Sequence, residues 1–296
     1  MAMTDYIEIA ISEAIGRPFR IDHRQAAGAG CINITEIVEG NGQKYFVKLN
    51  DASRLDMYVA EAAGLAEIIR SNTVRAPKPI VSGKTGAQAY LVLEFLDLTE
   101  HTSTRSDAVL GRQLAAMHRV TQPEFGWWRN NTIGTTAQNN HAEQDWVIFY
   151  REHRLRFQFE LAARKKSGAN LLRGWEQLLE KLPVYFADYK PLPSLLHGDL
   201  WGGNHATLSD GTPVIYDPAV YYGDREADIA MTELFGGYGA EFYAAYNESW
   251  PLDPGYRTRR ALYNLYHVLN HLNLFGGGYR GQAQQLIDRL LSDSFC

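Results

Sequence analysis

At 296 residues the chain is longer than the roughly 100–200 residues of a usual domain, so two lobes are expected, and its 45% apolar and 21% charged residues make a globular rather than a disordered or fibrous mix. Lys and Arg total 29 against 34 Asp and Glu, a net charge of -5, which argues against nucleic acid and leaves any phosphate-bearing ligand to be met by local groups. Cys31 and Cys296 are too few for a disulfide scaffold or a four-cysteine zinc site, no run reaches the roughly 18 apolar residues of a membrane span, and the acidic start MAMTDYIEIAISEAIG has no signal-peptide pattern, so the expected compartment is a reducing cytoplasm with no membrane partner.

In chain order, residues 4–15 pattern as a short amphipathic helix, and FRIDHRQ, INITEIVEG and QKYFVKLN then alternate apolar with polar residues as strands do. Asn41-Gly42 lies between the second and third, where a tight hairpin needs positive φ. From Ser53 to Ile69 the period becomes helical, with Met57, Leu65 and Ile68 on one side behind a Ser53 cap. QAYLVLEFL, residues 88–96, reads as the last strand of this region, and helices are predicted over 104–119, 143–164, 170–181, 224–235, 239–249 and 257–275. The fold class is therefore α+β and bilobal: a small β-rich N-terminal lobe with one key helix over 1–95, and a larger α-helical lobe over 96–296.

Chemistry concentrates in LLHGDLWGGNHA, where Asp199 and Asn204 stand five residues apart on a glycine-rich turn behind an apolar strand. An aspartate there can take a proton from an attacking hydroxyl, and the asparagine carbonyl can hold magnesium on transferring phosphates, the arrangement of kinase catalytic loops. PVIYDP follows, a short apolar strand ending in Asp217, placed to be a second metal-binding carboxylate, although an aspartate before proline is also an ordinary turn cap. In the N-terminal lobe AAGAGCINIT offers Gly28, Gly30 and the Cys31 backbone to a polyphosphate, or forms a plain hairpin turn, since Asn33 stands where GxGxxG has its third glycine. Lys48 shares a strand face with Phe46, opposite Tyr45, Val47 and Leu49, and needs an acidic partner if it is buried. Glu61 on the following helix is preferred for that over Glu67 or Asp56.

LLHGDLWGGN, IYDPAVYYGDREADIAMTELFGG, LYNLYHVLNHLNLFGGGY, FGWWRNNTIGTTAQ and GAGCIN together resemble the fructosamine kinase (ketosamine-3-kinase) family, within the aminoglycoside-phosphotransferase-like branch of the protein-kinase fold, from about Gly28 to about Tyr279. The resemblance implies ATP- and Mg2+-dependent phosphorylation of the sugar 3-hydroxyl of a ketosamine, small or protein-bound, as a deglycation step. It implies Asp199 as catalytic base, Asn204 and Asp217 as magnesium ligands, Lys48 as the phosphate-binding lysine with Glu61 its partner, and Glu94 and Leu96 in the hinge that meets adenine.

Trp201 is expected to stack on the sugar, with loop packing as the alternative, and Asp228 and His197 are expected to hold the catalytic loop. Asn264, His267 and His271 form a polar stripe on a Leu-rich helix, and lining of the acceptor pocket is expected of His267 and His271. Trp127 and Trp128 read as core plus rim. A thiolate at Cys31 would be favoured by the same N–H groups that favour phosphate, making oxidation there a route to inactivation, with a buried inert thiol as the alternative. Two other functions remain open at this point: a kinase of the same fold for an aminoglycoside, choline or another amino alcohol, and a catalytically silent nucleotide-binding regulator.

Overall fold

Side-chain alternation along the central strand organises the N-terminal part of the protein. The computed structural model describes residues 3–29, 33–99, 103–164 and 172–292. Helix α1 (Met3–Ile15) precedes strands β1 (His23–Ala29), β2 (Ile34–Gly40) and β3 (Gln43–Asp51), and helix α2 (Leu55–Ser71) leads to β4 (Pro79–Thr85) and β5 (Gln88–Glu94). The five strands make one antiparallel sheet in the order β1-β2-β3-β5-β4. Asn41 and Gly42 close the β2–β3 hairpin with φ of 51° and 70°, as that dipeptide favours. Tyr45, Val47 and Leu49 on β3 pack with Ile7 and Ile11 of α1 and with Phe19. Phe46 and Lys48 face the other way, into the cleft described below.

Three local expectations are corrected here. Ser53 does not cap α2: the Asp51 carboxylate accepts the Ser53 N–H, a short 3₁₀ turn spans Ala52–Arg54, and the α-helix begins at Leu55. The last strand, expected over residues 88–96, is β5 and ends at Glu94, and β4, not expected, pairs with it as a sheet edge; the β4 sequence PIVSGKT lacks apolar alternation, and its residues are only partly buried. FRIDHRQ is extended but enters the sheet only at His23, since the Phe19 backbone is held by the Ser12 hydroxyl of α1.

The rest of the chain is mostly helical. It runs through β6 (Leu98–Thr99), α3 (Thr104–His118), β7 (Asn131–Ile133), β8 (Thr136–Gln138), α4 (Trp146–Tyr150), α5 (Phe157–Arg164) and α6 (Trp175–Lys181). Then come β9 (Ser194–Leu196), β10 (His205–Leu208), β11 (Pro213–Ile215), β12 (Tyr221–Gly223), α7 (Glu226–Leu234), α8 (Ala240–Ser249), α9 (Tyr256–Phe275) and α10 (Arg280–Ser292). The expected helix over 143–164 starts only at Trp146, capped by Asp145, and is interrupted by a π-helical turn at Arg151–Arg156. That turn carries Arg154, fully buried, whose guanidinium lies 4.1 Å from the Tyr221 ring centre and donates to the Asn139 carbonyl and the Asn140 side chain. The predicted helix over 170–181 is α6, which forms only after Gly174, at φ 77°. α10 has no predicted counterpart, although Ala283, Ile287 and Leu290 bury at helical spacing. Among the described residues no helix is long and apolar enough to cross a membrane.

Helices α3 and α8 pack at the distance a glycine allows. A Cβ on Gly111 would lie 2.3 Å from the Phe242 carbonyl oxygen and 3.0 Å from the Tyr246 nitrogen, both backbone atoms that cannot swing aside. Gly111→Ala is therefore expected to lower stability by about 1–3 kcal/mol through overpacking, read as an earlier thermal midpoint. An unchanged midpoint would show that the two helices separate freely.

Candidate active site

Strand β9 ends at Leu196 and delivers His197-Gly198-Asp199 into a turn that the surroundings hold from several sides. Gly198 has φ 82°, and a Cβ there would meet the Ala219 carbonyl oxygen at 2.2 Å, so glycine is required for both reasons. The Asp228 carboxylate on α7 accepts the N–H groups of His197 and Gly198 at 2.7 and 2.8 Å, the support expected of it. Its Oδ2 also meets Nε2 of His118 from α3 at 3.2 Å, and His118 in turn contacts the Tyr246 hydroxyl at 2.8 Å. His118 is a support that sequence reasoning missed, because a histidine at a helix end carries no motif of its own. His197, fully buried, donates from Nε2 to the Tyr216 carbonyl at 2.9 Å, and its Nδ1 accepts the Asp199 N–H at 3.3 Å.

From this turn the chain makes the β10–β11 hairpin and returns to Asp217. The Asn204 amide donates to the Asp199 carbonyl at 2.8 Å, which leaves its Oδ1 with no protein donor among the described residues. Asp217 adopts φ 58°, unusual for a non-glycine residue and a source of local strain that functional sites tolerate. Its Oδ1 accepts from Lys48 Nζ at 2.5 Å, while Glu61 Oε1 accepts from the same ammonium at 2.6 Å. Burial alone would pull the Lys48 pKa down, but the charges of Asp217 and Glu61 more than reverse it, so the buried lysine stays an ammonium. Asp199 behaves oppositely: burial, then the charges of Asp217 and Asp228, push its carboxyl up to about 7 against the opposing Asn204 hydrogen bond.

Glu61 is thus the partner of Lys48. The alternatives are engaged elsewhere: Glu67 with the Tyr222 hydroxyl and Arg70, and Asp56 with Arg129. Lys48, Glu61, Asp199, Asn204 and Asp217 all line one cleft of about 570 Å3, together with Glu94, Leu96 and Trp201. Glu94 is held by Arg75 and by the Lys78 N–H. Trp201 is 42% exposed and its ring lies over Gly203, where a Cβ would come within 2.2 Å of it. Of the expected phosphate loop, Gly28 lies at the end of β1, whereas Gly30 and Cys31 lie outside the described residues, as does Cys296. His267 and His271 do not line this cleft; His267 is buried, and His271 is half-buried with Nδ1 donating to the His267 carbonyl at 2.9 Å. Trp127 is buried and Trp128 exposed, as core plus rim.

The β7–β8 hairpin is an unforeseen wall of the cleft, through Asn131, Thr132 and Gly134. Asn131 donates to the Val220 carbonyl and accepts from Gln138 and Asn140, so buried amides fasten the hairpin to the segment after Asp217. The signal was present in FGWWRNNTIGTTAQ, where a glycine turn at Gly134, φ 58°, is flanked by amide residues.

The family model for fructosamine kinase matches residues 3–293. The chain belongs to the fructosamine kinase family. It is 46% identical over 284 residues to a probable ketoamine kinase of Synechocystis sp., covering 95% of this chain and 94% of that protein. A crystal structure described as a putative fructosamine-3-kinase from Haemophilus somnus superposes with a TM-score of 0.89 at 28% identity, covering 96% of each chain. An aminoglycoside phosphotransferase solved with ADP and hygromycin B shares the fold alone, with a TM-score of 0.60 at 16% identity over 98% of this chain and 99% of that one. The bilobal kinase-like α+β fold is that of this protein.

Burial of an imidazole links the stability of this fructosamine kinase family member to pH. Burial, then the neighbouring His271, push the His267 imidazole down to about 3, against roughly 6.5 in an unfolded chain. Between those values the unfolded chain binds a proton there that the folded chain does not, so stability is present above the unfolded pKa and falls as pH drops from about 6.5 towards 3. His267→Asn is expected to flatten the fall of the thermal midpoint between about pH 6.5 and 4, measured by calorimetry. Parallel curves for the two proteins would place the acid sensitivity elsewhere.

Proposed function

We propose that the chain transfers the γ-phosphoryl group of ATP to the sugar 3-hydroxyl of a ketosamine, the adduct of a sugar and an amine, as a deglycation step. The observation that carries this reading is the Lys48 ammonium held between Glu61 and Asp217, in one cleft with Asp199 and Asn204. Family membership supports the acceptor class. The donor set fits magnesium: the Asp217 carboxylate and the unengaged Asn204 carbonyl are hard oxygen ligands projecting into the same space. A bound magnesium ion would supply charge neutralisation on the phosphates there.

This chain's own groups then divide the work. Lys48 contacts the non-transferred phosphates, its position fixed by Glu61. Glu94 and Leu96 border adenine. Asp199 accepts the proton of the 3-hydroxyl as its oxygen bonds to the γ-phosphorus and the bond to the ADP oxygen breaks. Asp217 is one of the charges that raise the Asp199 carboxyl, so a cation held at Asp217 would favour the proton-accepting form of Asp199. Trp201 presents a ring face to the apolar C–H side of the ketose.

Phosphorus NMR of the product formed from ATP and fructosyl- or ribulosyl-lysine tests the reading. A phosphomonoester coupled to the proton on sugar C3 is expected; turnover with aminoglycosides or choline and none with ketosamines would contradict it. Asp199→Asn should lose about 10²–10⁴ in turnover with little change in nucleotide affinity, and near-normal turnover would move the base elsewhere. Asp217→Ala should remove the magnesium-dependent rise in thermal midpoint that ATP gives, because a nucleotide–metal complex stabilises only a fold that holds it.

A further inference from the structure

Beyond the catalytic loop stands a second group of aromatic residues outside the interlobe cleft. Phe235, at the end of α7, lies 4.8 Å from the His271 ring centre, and His271 lies 5.4 Å from Phe275 and 5.1 Å from Tyr279. Phe235 and Phe275 are 40% and 55% exposed, in a chain that buries most of its aromatic rings. Two glycine contacts tie this cluster to the active site. A Cβ on Gly202 would fall 2.6 Å from the Gly236 carbonyl oxygen, and one on Gly237 would fall 2.6 Å from the Gly202 Cα. The residue before Gly202 is Trp201 and the residue before Gly236 is Phe235, so the two exposed rings flank one backbone contact.

We propose that Phe235, His271 and Phe275 form the subsite for the amine half of the acceptor, receiving the ammonium nitrogen and the alkyl chain attached to it. The proposal rests on the ketosamine reading above and extends it from the sugar to its substituent. A ketosamine carries its nitrogen on C1, close to the 3-hydroxyl, so a sugar with that hydroxyl at Asp199 and its face on Trp201 directs the substituent past the catalytic loop. The secondary amine is a cation at neutral pH, and aromatic faces attract cations while also covering apolar chain. The three rings add no opposing charge: burial lowers the His271 pKa, and its Nδ1–H is committed to the His267 carbonyl, which fixes the ring. Half-exposed rings at the end of α7 and α9 are removable without opening the core.

The test compares two acceptors with the same sugar, Nε-fructosyl-lysine and 1-amino-1-deoxyfructose, in the full chain and in Phe235→Ala/Phe275→Ala. The wild type should show the lower KM for fructosyl-lysine, and the double variant should reduce that preference about tenfold with the KM for ATP unmoved. An unchanged ratio of the two KM values, or a wild type with no preference, would overturn the subsite while leaving the kinase reading intact. A wild type that phosphorylates neither acceptor would overturn the kinase reading and the subsite with it. Gel filtration supplies an independent check: a two-chain species that becomes one chain in the variant would assign the rings to a second copy and overturn the proposal.

Discussion

A lysine ammonium buried to 3% exposure needs compensation from the fold, and at Lys48 two carboxylates from distant parts of the chain provide it. Glu61 arrives on α2 and Asp217 on the return from the β10–β11 hairpin, so the sheet, α2 and the helical part must dock together before the charge is matched. Several other contacts serve the same docking. Gly64 of α2 lies against Val220 closely enough that a Cβ would sit 3.1 Å from its methyl, Glu67 accepts from the Tyr222 hydroxyl, and Asp56 pairs with Arg129. The position of α2 is thus fixed along its length and not only at Glu61.

The turn that carries Asp199 follows a comparable logic with hydrogen bonds in place of charge. Asp228 holds two successive backbone N–H groups, His197 spans from the turn to Tyr216, and Gly198 leaves room for the Ala219 carbonyl. Each support comes from a different element, which makes the Asp199 carboxyl rigidly placed although it projects from a loop. The β7–β8 hairpin completes the wall. Its amides bond the Ala219 and Val220 carbonyls, and the buried Arg154 holds the segment after β8 at Asn139 and Asn140.

Much of this was legible in the sequence because the signals were local and periodic. Strand alternation put Lys48 opposite Tyr45 and Val47, the Asn41-Gly42 pair marked its hairpin, and spacing linked Asp199 to Asn204. Glu61 was separable from Glu67 and Asp56 because an apolar flank turns it inward. What stayed hidden depended on tertiary contacts. β4 is a strand because β5 offers it an edge, not because its residues alternate; Asp51 caps the 3₁₀ turn that precedes α2, while α2 itself starts at Leu55 with no side-chain cap; and the π-helical turn at Arg151–Arg156 carries a guanidinium buried among rings. The role of His118 rests on α3 crossing α7, which no local pattern encodes. The aromatic cluster at Phe235 and Phe275 depends on α7 ending beside His271 of α9, which the polar stripe on that helix does not encode.

The central claim is that Lys48, Glu61 and Asp217 act as one charge-matched unit that positions the nucleotide for Asp199. A double-mutant cycle on Lys48→Met and Glu61→Gln, followed by single-turnover phosphoryl transfer, tests it most directly. The account predicts strong non-additivity, with the double variant little slower than Lys48→Met alone, because Glu61 acts through the lysine. Additive losses would contradict it, showing that Glu61 and Lys48 contribute independently and that the buried ion pair is not what assembles the site.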